Sequence, residues 1–352
     1  MLEALTIQLA AAQALSAEQV RHAVTALTDE AIAAPTKAEF LARLAQKGET
    51  AEEIAAFAST LREKSIHPPI ENSWRELNEI LDIVGTGGDR LGTFNISTTS
   101  AIVCAAAGVV VAKHGNRAVT SQSGSADVLE ALGIRIDLSP AEAAVALREK
   151  KFAFFFAPNF HPAFKHIAPA RKLCAERGQR TIFNFLGPLL NPAHPTAMLV
   201  GVPRAELGAA LAKVLQALGV RRGMVVTGKV AAEKAAGQAA TIDELSTLGD
   251  NFVAEFYHER GFTKSLLTLE NFPLQPAQLA DLLGGDKFQN AEITRQILAG
   301  KDRGPKRDAV LLNAGAALFV AGKTKSLAEG WELAGETIDA GAASAKLAEL
   351  AS

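Results

Sequence analysis

The chain has 352 residues, 48% of them hydrophobic, which is enough for a large domain and a smaller one with packed cores. Its 36 Lys and Arg against 38 Asp and Glu give a formal net charge of −2, which argues against a nucleic-acid binder or a membrane-surface protein. Any anionic ligand must therefore be met by local donors.

The first seventy residues read as helices. Three start signals of the capping-box kind stand out: Ser16 with Gln19, Thr36 with Glu39, and Thr50 with Glu53. Val20, Ala23, Val24 and Leu27 form one apolar stripe at helical spacing, and Ile54, Phe57, Ala58 and Leu61 form another. So small a bundle leaves apolar surface to cover, which favours a homodimer contact through it. Glu3 comes early and the first basic residue is Arg21, so no secretory leader is expected. Two cysteines alone, Cys104 and Cys174, argue against a disulfide framework and fit a reducing cytoplasm. The apolar run 101–112 is too short to span a bilayer. His67-Pro68-Pro69 ends the bundle and begins a hinge.

From Leu81 short apolar runs alternate with helices, the signature of an α/β domain with a mostly parallel sheet flanked by helices. Leu81, Ile83 and Val84 read as a strand that breaks into Gly85-Thr86-Gly87-Gly88-Asp89, a loop whose backbone can approach a ligand closely. Ser97 or Thr98 is expected to cap the next helix, whose free N–H groups would face the same space. A second strand over 109–112 delivers Lys113-His114-Gly115-Asn116-Arg117 and a hydroxyl- and glycine-rich loop over 120–125. Two successive strand ends, each followed by a donor-rich loop and a helix N-terminus, make a site for a polyanion.

Downstream, Ser139 with Glu142 and Pro140 start a helix, and 152–157 is a buried strand. A helix with Lys165, His166, Arg171 and Lys172 follows. Residues 197–202 and 224–227 are strands around a helix at 205–218; 252–257 and 265–269 are antiparallel strands; and the tail is helical, most apolar over 309–320. Asp243-Glu244 is an adjacent acidic pair after an Ala/Gly-rich stretch at 229–240. A buried lysine such as Lys113 needs its charge met, by a phosphate or by solvent at a loop. Asp89 has two roles open to it, binding a ribose hydroxyl or orienting its loop.

GTGGD at 85–89, NIST at 95–98, KHGNR at 113–117 and SGSADVLEALG at 123–133 resemble, in order and spacing, the anthranilate phosphoribosyltransferase family. The segment from His161-Pro162-Ala163 to Pro169-Ala170-Arg171 and the run Leu311-Leu312-Asn313-Ala314-Gly315 extend that resemblance over nearly the whole chain. It implies a nucleoside phosphorylase-like α/β fold with a smaller discontinuous all-α domain. Residues 1–72, joined by a central helical segment at 161–190, would form the small domain, and 73–160 with 191–352 the large one.

The implied reaction joins the amine of anthranilate to C1 of phosphoribosyl pyrophosphate, in tryptophan biosynthesis, with no covalent nucleophile. The resemblance places Gly85, Gly88, Asp89, Thr93, Asn95, Ile96, Ser97 and Thr98 on the donor, together with Lys113, His114, Gly115, Asn116, Arg117, Ala118, Val119, Thr120, Ser121 and Ser125. Anthranilate falls to Gly85, His114, Asn116 and Arg171, the arginine forking onto its carboxylate. Ser97, Asp243 and Glu244 would hold magnesium, expected as two ions. A cytoplasmic homodimer is implied, with neither nucleic acid nor membrane as partner. Three features depart from the family pattern: Arg90 where glycine is usual, Gln122 where lysine is frequent, and a longer 229–240 stretch. The rivals are a pyrimidine nucleoside phosphorylase and a non-catalytic nucleic-acid-binding relative of the same fold.

Overall fold

A computed structural model describes residues 1–118, 122–235, 237, 240–258 and 260–352. Val119, Thr120 and Ser121, expected on the donor, lie outside the described residues. Four helices open the chain: α1 (Leu2–Ala10), α2 (Ala17–Thr28), α3 (Ala34–Lys47) and α4 (Ala51–Glu63). The capping boxes at Ser16 and Thr50 form as expected. That at Thr36 does not: α3 starts two residues earlier, with Pro35 in its first turn, where a fixed φ and a missing N–H cost nothing. Both predicted stripes are buried.

A short α5 (Asn72–Leu77) leads into β1 (Ile80–Gly85), followed by α6 (Ile96–Ala106), β2 (Val110–Gly115), α7 (Ser125–Ala131), α8 (Pro140–Glu149) and β3 (Phe152–Phe156). After a four-residue α9 (Ala157–Phe160) come α10 (Ala168–Glu176), α11 (Phe183–Leu186), β4 (Ala197–Gly201), α12 (Glu206–Ala217) and β5 (Arg222–Val230). The chain then hairpins into β6 (Ala240–Ile242), adds β7 (Asn251–Tyr257) and β8 (Arg260–Leu267), and finishes in α13 (Lys287–Leu298), α14 (Pro305–Val320), α15 (Leu327–Asp339) and α16 (Ala342–Leu350). Strand β5 is longer than predicted because it continues into the β5–β6 hairpin, which accounts for the long 229–240 stretch.

The sheet runs β3-β2-β1-β4-β5-β7-β8, with β6 paired to β5 off that path. Strands β1 to β5 are mutually parallel, and β6, β7 and β8 are antiparallel additions. Alternation along each strand sends side chains to two cores. Leu81, Ile83, Val111, Phe154, Leu199 and Val226 pack under α6 and the C-terminal helices, while Met198, Val200 and Val225 share a core with α12, the N-terminal helices and residues of the 167–190 segment. Helix α10 packs on α3, far from it in sequence. No helix among the described residues is long and apolar enough to cross a membrane.

Candidate active site

Strands β1, β2 and β4 lie side by side and end at Gly85, Gly115 and Gly201. Gly85 and Gly201 are register partners. A Cβ on Gly85 would stand 2.4 Å from Asp243 Oδ2, one on Gly201 1.6 Å from the Asp243 carbonyl oxygen, and one on Gly228 of β5 2.6 Å from the Glu244 carbonyl oxygen. Three glycines therefore let the acidic doublet lie directly on the strand ends, closer than any side chain would permit. The glycine turn then binds it: Gly87 N–H donates to Asp243 Oδ2 at 2.5 Å, and Thr86 N–H donates to the Gly201 carbonyl at 2.9 Å. Asp89 accepts from Leu91 N–H at 3.1 Å and lies 3.5 Å from the Asp243 N–H, so its contacts within the protein are those of loop orientation.

This corner gathers negative charge. Burial, Asp89 and Glu244 together hold Asp243 well above the usual carboxylate range. Glu244 keeps some solvent contact, yet loss of surrounding water pushes it up to about 7 against the pull of Lys113. Ser97 lies close enough to Glu244 to oppose that rise, which brings the three expected metal residues to one place. Their chemistry suits a hard divalent ion: oxygen donors whose mutual repulsion such an ion would relieve. Among the described residues no three His, Cys, Asp or Glu side chains form a metal cage, so phosphate or water would have to complete the coordination.

Lys113 corrects one expectation. It does not follow the strand; it lies within β2, 1% exposed, where its Nζ donates to the Ile83 carbonyl at 2.7 Å between Asp82 and Glu244. Burial lowers its pKa, and the two carboxylates oppose that shift. Neither Ser97 nor Thr98 caps α6. Asn95 takes the N-cap position, and its side chain instead accepts from Asn290 at 2.9 Å and donates to the Ser123 carbonyl. Ile96 and Thr98 are buried, and the Thr98 hydroxyl has no partner among the described residues. Thr93 bridges to Leu283.

The loop after β2 also differs from expectation. The Arg117 guanidinium is held by Asp127 and Glu130 at 2.9–3.1 Å instead of lying free for phosphate, because α7 presents both acids to it one turn apart. Asp127 also accepts from the N–H groups of Ala118 and Gly124, so a carboxylate occupies donors expected for an anion. Gly115 is required where it stands, since a Cβ would come 2.3 Å from the Ser125 hydroxyl. The Asn116 carbonyl meets the start of α7, and its side-chain oxygen accepts from Arg117 N–H.

Arg171 reaches the site through a chain of rings. Its guanidinium lies 5.4 Å over Phe183, Phe183 is 5.7 Å from Phe164, Phe164 is 5.2 Å from His161, and His161 is 5.3 Å from His114. Arg171 makes no ion pair among the described residues and no direct contact with the glycine turn or the doublet. His114 and His161 are buried, with their Nε2 atoms unpartnered among the described residues. Burial drives them down to about 3 and about 4, so both rings stay neutral. Beneath them Asp82, fully buried, accepts from Asn191 Nδ2 at 2.9 Å and from His114 N–H at 3.4 Å. Sequence reasoning missed Gly201, Gly228, Asp82, His161 and Asn191. Asp82 inside an apolar strand run, and glycines at two further strand ends, were the available signals.

Comparison with known proteins gives the family and the fold. Residues 77–344 match the family described as "Glycosyl transferase family, a/b domain", and residues 4–65 match "Glycosyl transferase family, helical bundle domain". The chain is 49% identical over 313 residues, 89% of its length and 86% of the relative's, to an anthranilate phosphoribosyltransferase of Lacticaseibacillus casei (strain BL23). It superposes on the crystal structure of that enzyme from Thermus thermophilus with a TM-score of 0.86, at 41% identity, over 99% of this chain and 98% of that one. The Saccharomyces cerevisiae enzyme in complex with PRPP and Mg gives a TM-score of 0.85 at 27% identity, covering 99% of this chain and 96% of that one.

Proposed function

The chain belongs to the anthranilate phosphoribosyltransferase family, and on that premise we propose how its cleft divides the work. The protein transfers the phosphoribosyl group of 5-phosphoribosyl 1-pyrophosphate to the amine of anthranilate, giving N-(5-phosphoribosyl)anthranilate and pyrophosphate, in tryptophan biosynthesis. It uses magnesium. The observation that carries the division is the meeting of the glycine turn, Ser97, Lys113 and the Asp243-Glu244 doublet at the carboxyl ends of adjacent strands, the position where open α/β sheets bind ligands.

The pyrophosphate and ribose phosphate lie over Gly85 to Asp89, Asn95 and the loop after β2, with Gly88, Thr93, Asn116 and Ser125 around them. Ser97, Asp243 and Glu244 hold the cation, as two ions. When bound, it neutralises charge that develops on departing pyrophosphate. Lys113, already poised between Asp82 and Glu244, adds a fixed positive charge beneath the phosphates. The reaction breaks the bond from C1 to the pyrophosphate oxygen, the electron pair leaving with pyrophosphate, and forms the bond from C1 to the amine nitrogen, which then gives up one proton to the departing pyrophosphate. Neutral His114, whose Nε2 has no partner among the described residues, accepts the amine N–H, and Arg171, once closure has brought its helix to the donor, pairs with the anthranilate carboxylate. No covalent nucleophile is needed; positioning and charge stabilisation suffice.

The division into residues 1–72 with 161–190 against 73–160 with 191–352 is supported by the packing of α10 on α3. Closure about the segment near His67 would bring the Arg171 helix to the donor. A homodimer through the helical domain and a cytoplasmic location complete the reading. The test is loss of anthranilate fluorescence with purified protein, phosphoribosyl pyrophosphate and magnesium. Arg171→Ala should raise the KM for anthranilate about 10- to 100-fold with the magnesium response intact, while Asp243→Ala should abolish that response. Failure of the unaltered protein to turn over with any divalent metal would refute the assignment.

A further inference from the structure

We propose that Asn313, a buried residue of α14 that reaches none of the reacting groups, is the positioning residue that holds the acidic doublet in a cation-ready arrangement. The inference rests on the reading of Asp243 and Glu244 as cation ligands. Leu245 follows them, and both polar groups of that residue's backbone are taken by one side chain. Leu245 N–H donates to Asn313 Oδ1 at 2.9 Å, and Asn313 Nδ2 donates to the Leu245 carbonyl at 2.9 Å. The second Nδ2 hydrogen goes to the Ala309 carbonyl one turn back in the helix, also at 2.9 Å.

Asn313 is 0% exposed in an otherwise apolar stretch of α14. A polar amide there is costly unless fully bonded, and asparagine is a poor helix former. Among the described residues its only hydrogen-bond partner outside its own helix is the residue beside the doublet, so what it contributes is the fixed place of that backbone. The next residue is held in the same way: Ser246 N–H donates to Asn251 Oδ1 at 2.7 Å, and Asn251 Nδ2 donates back to the Ser246 carbonyl at 3.1 Å. Gly201 and Gly228 close the loop from the strand side. Three neighbouring carboxylates that repel one another would otherwise swing apart. The amide clamp keeps them facing one space, as outer partners of metal ligands do.

The experiment measures Mn2+ binding, by the spin-resonance signal of free Mn2+, in the presence of phosphoribosyl pyrophosphate. Asn313→Leu removes both hydrogen bonds to Leu245 at similar volume. Asp243→Asn tests the doublet itself. Ile338→Val trims a buried core residue away from the loop and controls for lost stability. The expected result is Mn2+ affinity weakened about 10- to 100-fold in Asn313→Leu and in Asp243→Asn, unchanged in Ile338→Val, with the anthranilate KM of Asn313→Leu within about twofold of the parent. Weakening in Asp243→Asn but not in Asn313→Leu overturns the clamp and leaves the doublet reading standing. Parent affinity in both overturns that reading, and the clamp with it. Equal weakening in Ile338→Val also overturns the clamp. If Asn313→Leu does not fold, Gly228→Ala displaces the same loop from below and must weaken Mn2+ binding; parent affinity there overturns the inference.

Discussion

One wall of the cleft gathers carboxyl groups and the other imidazoles, and loss of water drives both kinds of group toward neutrality from opposite directions. On the donor side Glu244 is pushed up to about 7 and Asp243 well above its ordinary range. On the acceptor side His114 falls to about 3 and His161 to about 4. The consequences differ. Buried acids that repel one another are a site for a cation, whereas buried neutral imidazoles with bare Nε2 atoms are acceptors for an amine. The walls also differ in build. The donor wall is fixed by backbone hydrogen bonds and glycine contacts that leave no slack, and the acceptor wall by ring contacts of 5.2–5.7 Å that can readjust.

That contrast in slack predicts the largest effect. Gly201→Ala must displace the Asp243 backbone, and misplacement of about 1 Å near reacting groups costs on the order of 100-fold. We expect kcat/KM to fall at least about 100-fold in Gly201→Ala. Phe183→Leu, in the ring chain, should change the anthranilate KM by less than about 10-fold. Comparable losses in the two variants, measured by anthranilate fluorescence under saturating donor, would erase the distinction.

The donor wall was largely legible in the sequence because its parts are local: a glycine turn, a helix start and an acidic doublet, each a short motif. Their convergence was not, because Gly201 and Gly228 matter only once β4 and β5 are known to flank the loop that carries Asp243. Lys113 was placed one step too late along the chain, since its cost inside a strand is met by Asp82 and Glu244, which no local pattern reveals. Arg117 looks free in the sequence because Asp127 and Glu130, which hold it, become its neighbours only once α7 has formed. The acceptor wall was the least legible: the ring chain from His114 to Arg171 joins residues from three separate stretches, and only Arg171 and His114 were singled out.

The opposite pKa shifts give the walls opposite pH signatures. A histidine depressed below 6.5 contributes stability that is full above pH 6.5 and lost as pH falls toward its folded value, because the unfolded chain binds the proton first. A carboxyl raised from 4.5 to about 7 works the other way: its contribution is full below pH 4.5 and lost as pH rises through about 7. Between pH 4.5 and 6.5 the two walls therefore oppose each other, and single variants separate them. Without magnesium or donor, His161→Phe should lose about 2 kcal/mol less stability than the parent between pH 7 and pH 5. Glu244→Gln should lose about 2 kcal/mol less between pH 5 and pH 7.5. Urea midpoints at each pH measure both, and parallel curves for parent and variants would contradict the assigned shifts.

The smallest effect concerns a residue at the rim of the donor wall. Arg90 sits at φ +59° in a loop where Gly87, Gly88 and Gly92 also have positive φ, which explains why glycine suits this position. A side chain in that region costs roughly 1–2 kcal/mol, partly offset by the greater unfolded-state freedom of glycine, so Arg90→Gly should stabilise the protein by about 0.5–1 kcal/mol. Lys151, exposed at φ +53° beside β3, provides the matched reference, and Lys151→Gly should gain a similar amount. If strain is all that Arg90 brings, the two variants shift the denaturation midpoint alike and leave the donor KM within about twofold. A donor KM raised tenfold in Arg90→Gly alone, about 1.4 kcal/mol of binding, would instead make Arg90 a phosphate contact. The strain at the turn would then be offset by a second cation, in addition to Lys113, at the mouth of the donor wall.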